Sequence, residues 1–141
     1  MKQLEFSIEI NASKEKVWNI LWNEQSYRDW TNSFIPGSYY EGELKEGNDI
    51  RFLSPGQNGL FAKVEKVIPF QSMHFVHFGL VLDGVSQQKT FEEGAIEQYD
   101  LYESEFGTKL IVTIKTEEEY ITYFNNSFPK ALNAVKQLCE V

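Results

Sequence analysis

The chain contains two histidines, His74 and His77, three residues apart in "SMHFVHFGLVL". Closely spaced imidazoles are the usual material of metal sites and proton shuttles, so their geometry has to be settled first. The surrounding aromatic and branched residues mark a strand, and on a strand each step reverses the side-chain direction. Residues three apart therefore point to opposite faces, and the two rings cannot hold one metal ion or act on one substrate atom. If Met73, Phe75 and His77 face inward, His77 is a single polar group in apolar surroundings and His74 lies on the surface. The opposite parity exchanges these roles. A lone imidazole among apolar residues is most often a hydrogen-bonded structural group, with ligand orientation as the functional alternative.

The remaining chemistry-bearing residues are few. In "AIEQYDLYESE", Glu97, Tyr99, Leu101 and Glu103 share one strand face, and Ile96, Gln98, Asp100 and Tyr102 share the other. An inward Glu97 or Glu103 would be a candidate general base, although carboxylates near strand ends are ordinarily solvated. The acidic run "TEEE" reads as a helix start, with Thr116 and Glu119 as a capping box and three glutamates at the positive end of the helix dipole. Ser86 and Cys139 have no base at a motif spacing, and no nucleophile elbow, phosphate loop, HExxH, CxxC or GxGxxG pattern occurs. With one cysteine, neither an intrachain disulfide nor a thiolate zinc site can be built from this chain alone. No catalytic residue, metal or cofactor is assigned.

The 141 residues make one domain, 1–141, with enough apolar sequence for a real core. Its aromatic share of 15% is high, and such rings either fill a core or line a cavity. Twenty-one acidic against 13 basic residues give a net charge of −8, which argues against nucleic acid and anionic membrane surfaces as partners. The opening "MKQLEFSIEI" interleaves charges with apolar residues, unlike a signal peptide, and no segment has the length of a membrane span. A monomeric, cytoplasmic protein without membrane insertion is expected.

The elements that must position these residues follow from the spacing. "QLEFSIEI" alternates Leu4, Phe6, Ile8 and Ile10 against polar residues, a strand with one wet face over about residues 3–10. "NASKEKVWNILW" changes to helical spacing, with Ser13 as N-cap and Val17, Ile20 and Leu21 on one face. "NEQSYRDW" adds a short second helix ending near Trp30, before a loop carrying Pro36 and Gly37. Five turn signals, "KEGND", "SPGQNG", "IPFQS", "LDG" and "SEFGT", then divide residues 38–115 into six antiparallel strands. A long helix begins near Glu117, with Ile121, Phe124, Phe128, Leu132, Val135 and Leu138 as its apolar stripe. Pro129 within it predicts a kink or a brief break.

This order resembles the START-like or SRPBCC superfamily with its helix-grip fold, and especially the branch containing the ATPase activator of the 90-kDa heat-shock chaperone. The resemblance is carried by "IEINASKEKVWNIL" with Trp30 after it, "GELKEGNDIRF", "AKVEKVIPFQSM", "YDLYESEFGTKLIVTI" and "ALNAVKQL", in that order across nearly the whole chain. It departs from many relatives at Ser127-Phe128-Pro129, where they carry a glycine-tryptophan pair. The implied fold is α+β, a seven-stranded curved antiparallel sheet wrapped around a long C-terminal helix, with two short helices between strands 1 and 2.

Members of that superfamily bind lipids, sterols, plant hormones or polyketides, and others act as cyclases, aromatases or co-chaperones. The expected function is binding of a small, mostly hydrophobic molecule between sheet and helix. Trp30, Phe34, Phe52, Phe75, Tyr99, Tyr120, Phe124 and Phe128 are the expected aromatic walls, with His77 as a polar mark and the 30–36 segment controlling access. Two alternatives stand beside it, a chaperone-associated interaction protein and a polyketide cyclase or aromatase.

Overall fold

In the computed structural model, which describes residues 1–91 and 94–141, strand β1 (Lys2–Ile10) leads into helices α1 (Lys14–Trp22) and α2 (Glu24–Thr31). Strands β2 (Tyr39–Glu41), β3 (Asp49–Ser54), β4 (Asn58–Ile68), β5 (Ser72–Leu82), β6 (Val85–Lys89), β7 (Ala95–Ser104) and β8 (Gly107–Thr116) follow. A single 3₁₀ turn, Glu118–Tyr120, precedes helix α3 (Ile121–Cys139). The chain is α+β, and all its paired strands are antiparallel.

Seven strands run in the order β1-β8-β7-β5-β4-β3-β2, and β6 is an eighth that pairs only with β5. The sequence reading merged β6 and β7 into one strand. They are separate because both use the same edge of β5: β7 pairs Ser72 to His77, and β6 pairs Gly79 to Leu82. The chain changes between them where Thr90 and Phe91 both donate their backbone N–H to the carbonyl of Phe78. Asp83 and Gly84, both at positive φ, make the tight β5–β6 turn that an Asp-Gly pair favours.

Alternation builds the grip. On β1, Ile10 is buried and Leu4, Phe6 and Ile8 are partly buried against the core, while their neighbours are exposed. Register shifts at Phe61/Ala62 and Val64/Lys66 put irregularities into the β4–β5 ladder, the kind of feature that bends and twists a sheet. Gly59 permits a close approach of β4 to β3, since a Cβ there would stand 1.8 Å from the carbonyl oxygen of Phe52.

Ser13 caps α1 by accepting a bond from the N–H of Lys16, and Asn23 ends α1 and caps α2 at once. Helix α3 buries Ser127, Phe128, Ala131, Leu132, Val135 and Cys139, while Ile121 and Phe124, earlier in the helix, stay partly open. Its last turn is fastened to the end of β1. Lys136 Nζ donates to the Glu9 carbonyl at 2.9 Å and to Glu140 at 2.6 Å, and Asn11 N donates to the same carboxylate at 2.8 Å. The Lys136 and Asn11 bonds hold the Glu140 carboxyl below its ordinary range.

One local expectation fails. The capping box does not form, because Thr116 is still the last residue of β8, paired with Lys2, and the helical turn starts at Glu118 with no side-chain cap. Of the kink or break expected at Pro129, the break does not occur, since α3 runs from Ile121 to Cys139 with Pro129 inside it. No helix among the described residues is long and apolar enough to cross a membrane.

Candidate functional site

Between α3, α2, the 32–38 segment and the inner face of the sheet lies a cavity of about 390 Å³, within the range of roughly 300–1,000 Å³ typical of small-molecule sites. Its walls come from elements distant in sequence: Tyr27 and Trp30 from α2, Phe52 and Leu53 from β3, Tyr99 from β7, Ile114 from β8 and Phe128 from α3. The N-terminal half of α3 carries Phe124 and Tyr123 over the cavity, and the 3₁₀ turn adds Tyr120. Tyr120, Tyr123, Ile35 and Leu80 are exposed and line the cavity, giving it an apolar rim.

Eight of the nine residues expected at the site line this cavity: Trp30, Phe34, Phe52, His77, Tyr99, Tyr120, Phe124 and Phe128. Phe75 is the exception. It faces inward as the strand parity requires, but it is fully buried, with its ring 4.9 Å from Phe52 and 5.5 Å from Trp22. Those two rings and the core beneath enclose it, so it supports the cavity from below. Trp30 stands near the end of α2, where the sequence places it, and is buried, with Nε1 donating to the Leu21 carbonyl at 3.0 Å; of the 30–36 segment, Phe34 and Ile35 also line the cavity.

A polar cluster in the cavity wall is built from β5 and β7. Met73, Phe75 and His77 point inward, and His74 and Val76 lie on the other face. His77 stands opposite Ala95 in the ladder and reaches diagonally to Glu97, with Nε2 at 2.8 Å from Oε1. Tyr99 donates its hydroxyl to the other oxygen of the same carboxylate at 2.5 Å. An ionised carboxylate can only accept, so Nε2 of His77 carries the hydrogen whether the imidazole is neutral or charged. His77 Nδ1 is buried and has no hydrogen-bond partner among the described residues.

Burial, reinforced by the charge and hydrogen bond of Glu97, pushes the Tyr99 phenol well above its ordinary value. Tyr27 is raised in the same direction by burial and then by the charge of Glu97, and its ring lies 6.5 Å from Phe52, which is 5.3 Å from the His77 ring. Of the two glutamates considered as inward groups, Glu97 turns in and Glu103 is exposed. Tyr27 and Tyr123 escaped the sequence reading. Spacing along α2 does place Tyr27 one turn from Trp30, but nothing local shows that this face meets β3 and β7.

His74 has its own carboxylate. It lies 2.9 Å from Asp100, which also accepts a bond from Ser72 Oγ at 2.7 Å. Among the described residues no three His, Cys, Asp or Glu side chains gather as a metal site.

The sequence matches no protein-family model and no curated protein. Solved structures match it over its full length. The fold is a helix grip, a curved antiparallel sheet packed on a long C-terminal helix. Among similar structures, the Aha1 dimer of Colwellia psychrerythraea shares 22% identity at TM-score 0.75, covering 100% of this chain and 98% of that one. Protein MLL2253 of Mesorhizobium loti shares 14% at TM-score 0.74, covering 99% and 97%. DynU16, from the dynemicin biosynthetic locus, shares 11% at TM-score 0.74, and this helix-grip chain covers 48% of it. At these identities the similarity is one of fold.

Proposed function

We propose that this helix-grip protein binds a small, mostly apolar molecule in the cavity between its sheet and α3. The observation that carries this reading is the composition of the walls. Aromatic rings from α2, β3, β7 and α3 surround about 390 Å³ of space, and Glu97, His77 and Tyr99 form one hydrogen-bonded cluster in its wall. Rings supply contact area and shape at small entropic cost, while Glu97, His77 and Tyr99 supply orientation. Binding displaces water from apolar surface, which favours a ligand by about 25 cal/mol for each Å² of apolar area removed from water.

A thermal-shift and native mass spectrometry panel of lipids, flavonoids and polyketides tests the reading. At least one class should raise the melting temperature in a concentration-dependent way and appear as a bound mass. Ala95→Phe, which fills the cavity beside His77, should keep the fold and weaken that shift. If no class binds, or if the filled variant binds equally well, the cavity is not the ligand site.

An interaction role is the second reading, favoured by the full-length similarity to the Colwellia Aha1 protein. Under it, the protein would stimulate the ATPase of a heat-shock chaperone, and an ATPase assay with the chaperone of the same organism decides it. No change in rate would remove it. That relative is a dimer, so the expectation of a monomer is checked by light scattering. Cyclase or aromatase activity, the third reading, would require turnover that is lost in His77→Ala or Glu97→Gln.

A further inference from the structure

The polar cluster that β5 and β7 place in the cavity wall is built around the carboxylate of Glu97, and its composition selects the head group of a ligand. We infer that the ligand presents a hydrogen-bond donor, a hydroxyl or an amine, to Glu97, and that a carboxylate head is excluded. The inference rests on the reading of the cavity as a ligand site and adds the chemistry of the ligand's polar end.

Three observations carry it. First, the Glu97 carboxylate lines the cavity with its side chain 23% exposed, so it is not sealed off by its own neighbours. Second, its two protein partners leave acceptor capacity. Tyr99 donates to Oε2 and His77 to Oε1, while a carboxylate offers about four lone-pair positions. Third, no lysine or arginine pairs with Glu97 among the described residues, and the nitrogen that meets it there is the imidazole Nε2 of His77. Among the described residues the other basic groups of the lining are Met1, which carries the chain's amino group, and Lys115, which follows the Ile114 that stands opposite Glu97 and whose neighbours Thr116 and Glu117 also line the cavity.

An anionic head placed against this cluster would meet a carboxylate across a water-poor space, where like charges repel most strongly. An O–H or N–H group would instead complete the acceptor shell that Tyr99 and His77 begin. The tyrosine and imidazole then act as positioning residues: by holding both oxygens of Glu97 they fix where the donor must stand. Tyr27, close enough to sense the charge of Glu97, borders the same space.

A matched series separates these possibilities: decanol, decylamine and decanoate, which share one apolar chain and differ only at the head. Quenching of tryptophan fluorescence reads binding directly, because Trp30 lines the cavity. Decanol and decylamine should each bind at least about tenfold more tightly than decanoate, the ratio given by 1.4 kcal/mol of discrimination. Glu97→Gln keeps the shape and removes the charge, and it should shrink that ratio to about threefold or less by admitting decanoate. His77→Gln, which keeps a donor for Glu97, should preserve the preference. Equal binding of all three heads to the native protein, or tightest binding of decanoate, overturns the inference while leaving the cavity a ligand site. Failure of all three to bind overturns both.

Discussion

The two histidine–carboxylate pairs of β5 and β7 share one geometry and differ in what lies over them. His77 reaches Glu97 and His74 reaches Asp100, each across the same ladder and each two residues beyond the position directly opposite. On the outer face the pair is closed by Ser72, which donates to the same Asp100 oxygen that meets His74. On the inner face the carboxylate is shared by His77 and Tyr99 and still borders a cavity. A cross-strand histidine–carboxylate hydrogen bond is thus a local product of strand register, and it becomes a binding feature only where the fold leaves space above it.

Substitutions that treat the two faces differently should break or sharpen this contrast. The largest effect is expected on β5 itself. Phe75→Ala, which empties a fully enclosed site, should destabilise by about 3–5 kcal/mol. Val76→Ala on the half-buried outer face should cost about 1 kcal/mol or less. Equal losses in urea denaturation would show that the inner face is no better packed than the outer.

Removing the carboxylates comes next. Glu97→Ala leaves His77 Nε2 and the Tyr99 hydroxyl without their acceptor, and a cost of about 2–4 kcal/mol follows from stranding two buried donors. Asp100→Ala should cost less, about 1–2 kcal/mol, because it strands the buried Ser72 hydroxyl but only a partly buried imidazole at His74. A reversal of that order would place the more closely buried network on the outer face.

The smallest expected effect is alkaline. The folded state disfavours the Tyr99 phenolate, raising the phenol above its ordinary value of 10.0. The unfolded chain therefore loses this proton first. The contribution is fully present below a pH of about 10 and is lost as the pH rises beyond it. Tyr99→Phe should flatten the fall in stability above about pH 10, whereas Ser72→Ala, on the outer network, should leave its slope unchanged.

Much of this molecule was legible before folding because it depends on near neighbours. Alternation in "QLEFSIEI" and "SMHFVHFGLVL" predicts strands and the residues that share each face, and Ser13 marks the start of α1. The period of a strand puts Met73, Phe75 and His77 on one face and His74 on the other, and the fold decides which of the two points inward. The misreadings occurred where distant parts intervene. Residues 85–104 look like one strand until β5 is seen to accept two partners along one edge. Thr116 looks like a helix cap until β1 claims its backbone. Phe75 looks like a cavity wall until Phe52 and Trp22 close around it.

What the sequence determined by itself is the succession of strands and helices, the separation of the two histidines onto opposite faces, and a surplus of rings that must be buried somewhere. Strand period, helix spacing and apolar composition act over a few residues, so they are written locally. Only the tertiary structure decided that Glu97 is the shared partner of His77 and Tyr99, that Phe75 lies beneath the cavity, and that Tyr27 and Tyr123 belong to its walls. Those outcomes depend on how closely α2, α3 and the sheet approach one another, and that distance is set by the packing of the whole core.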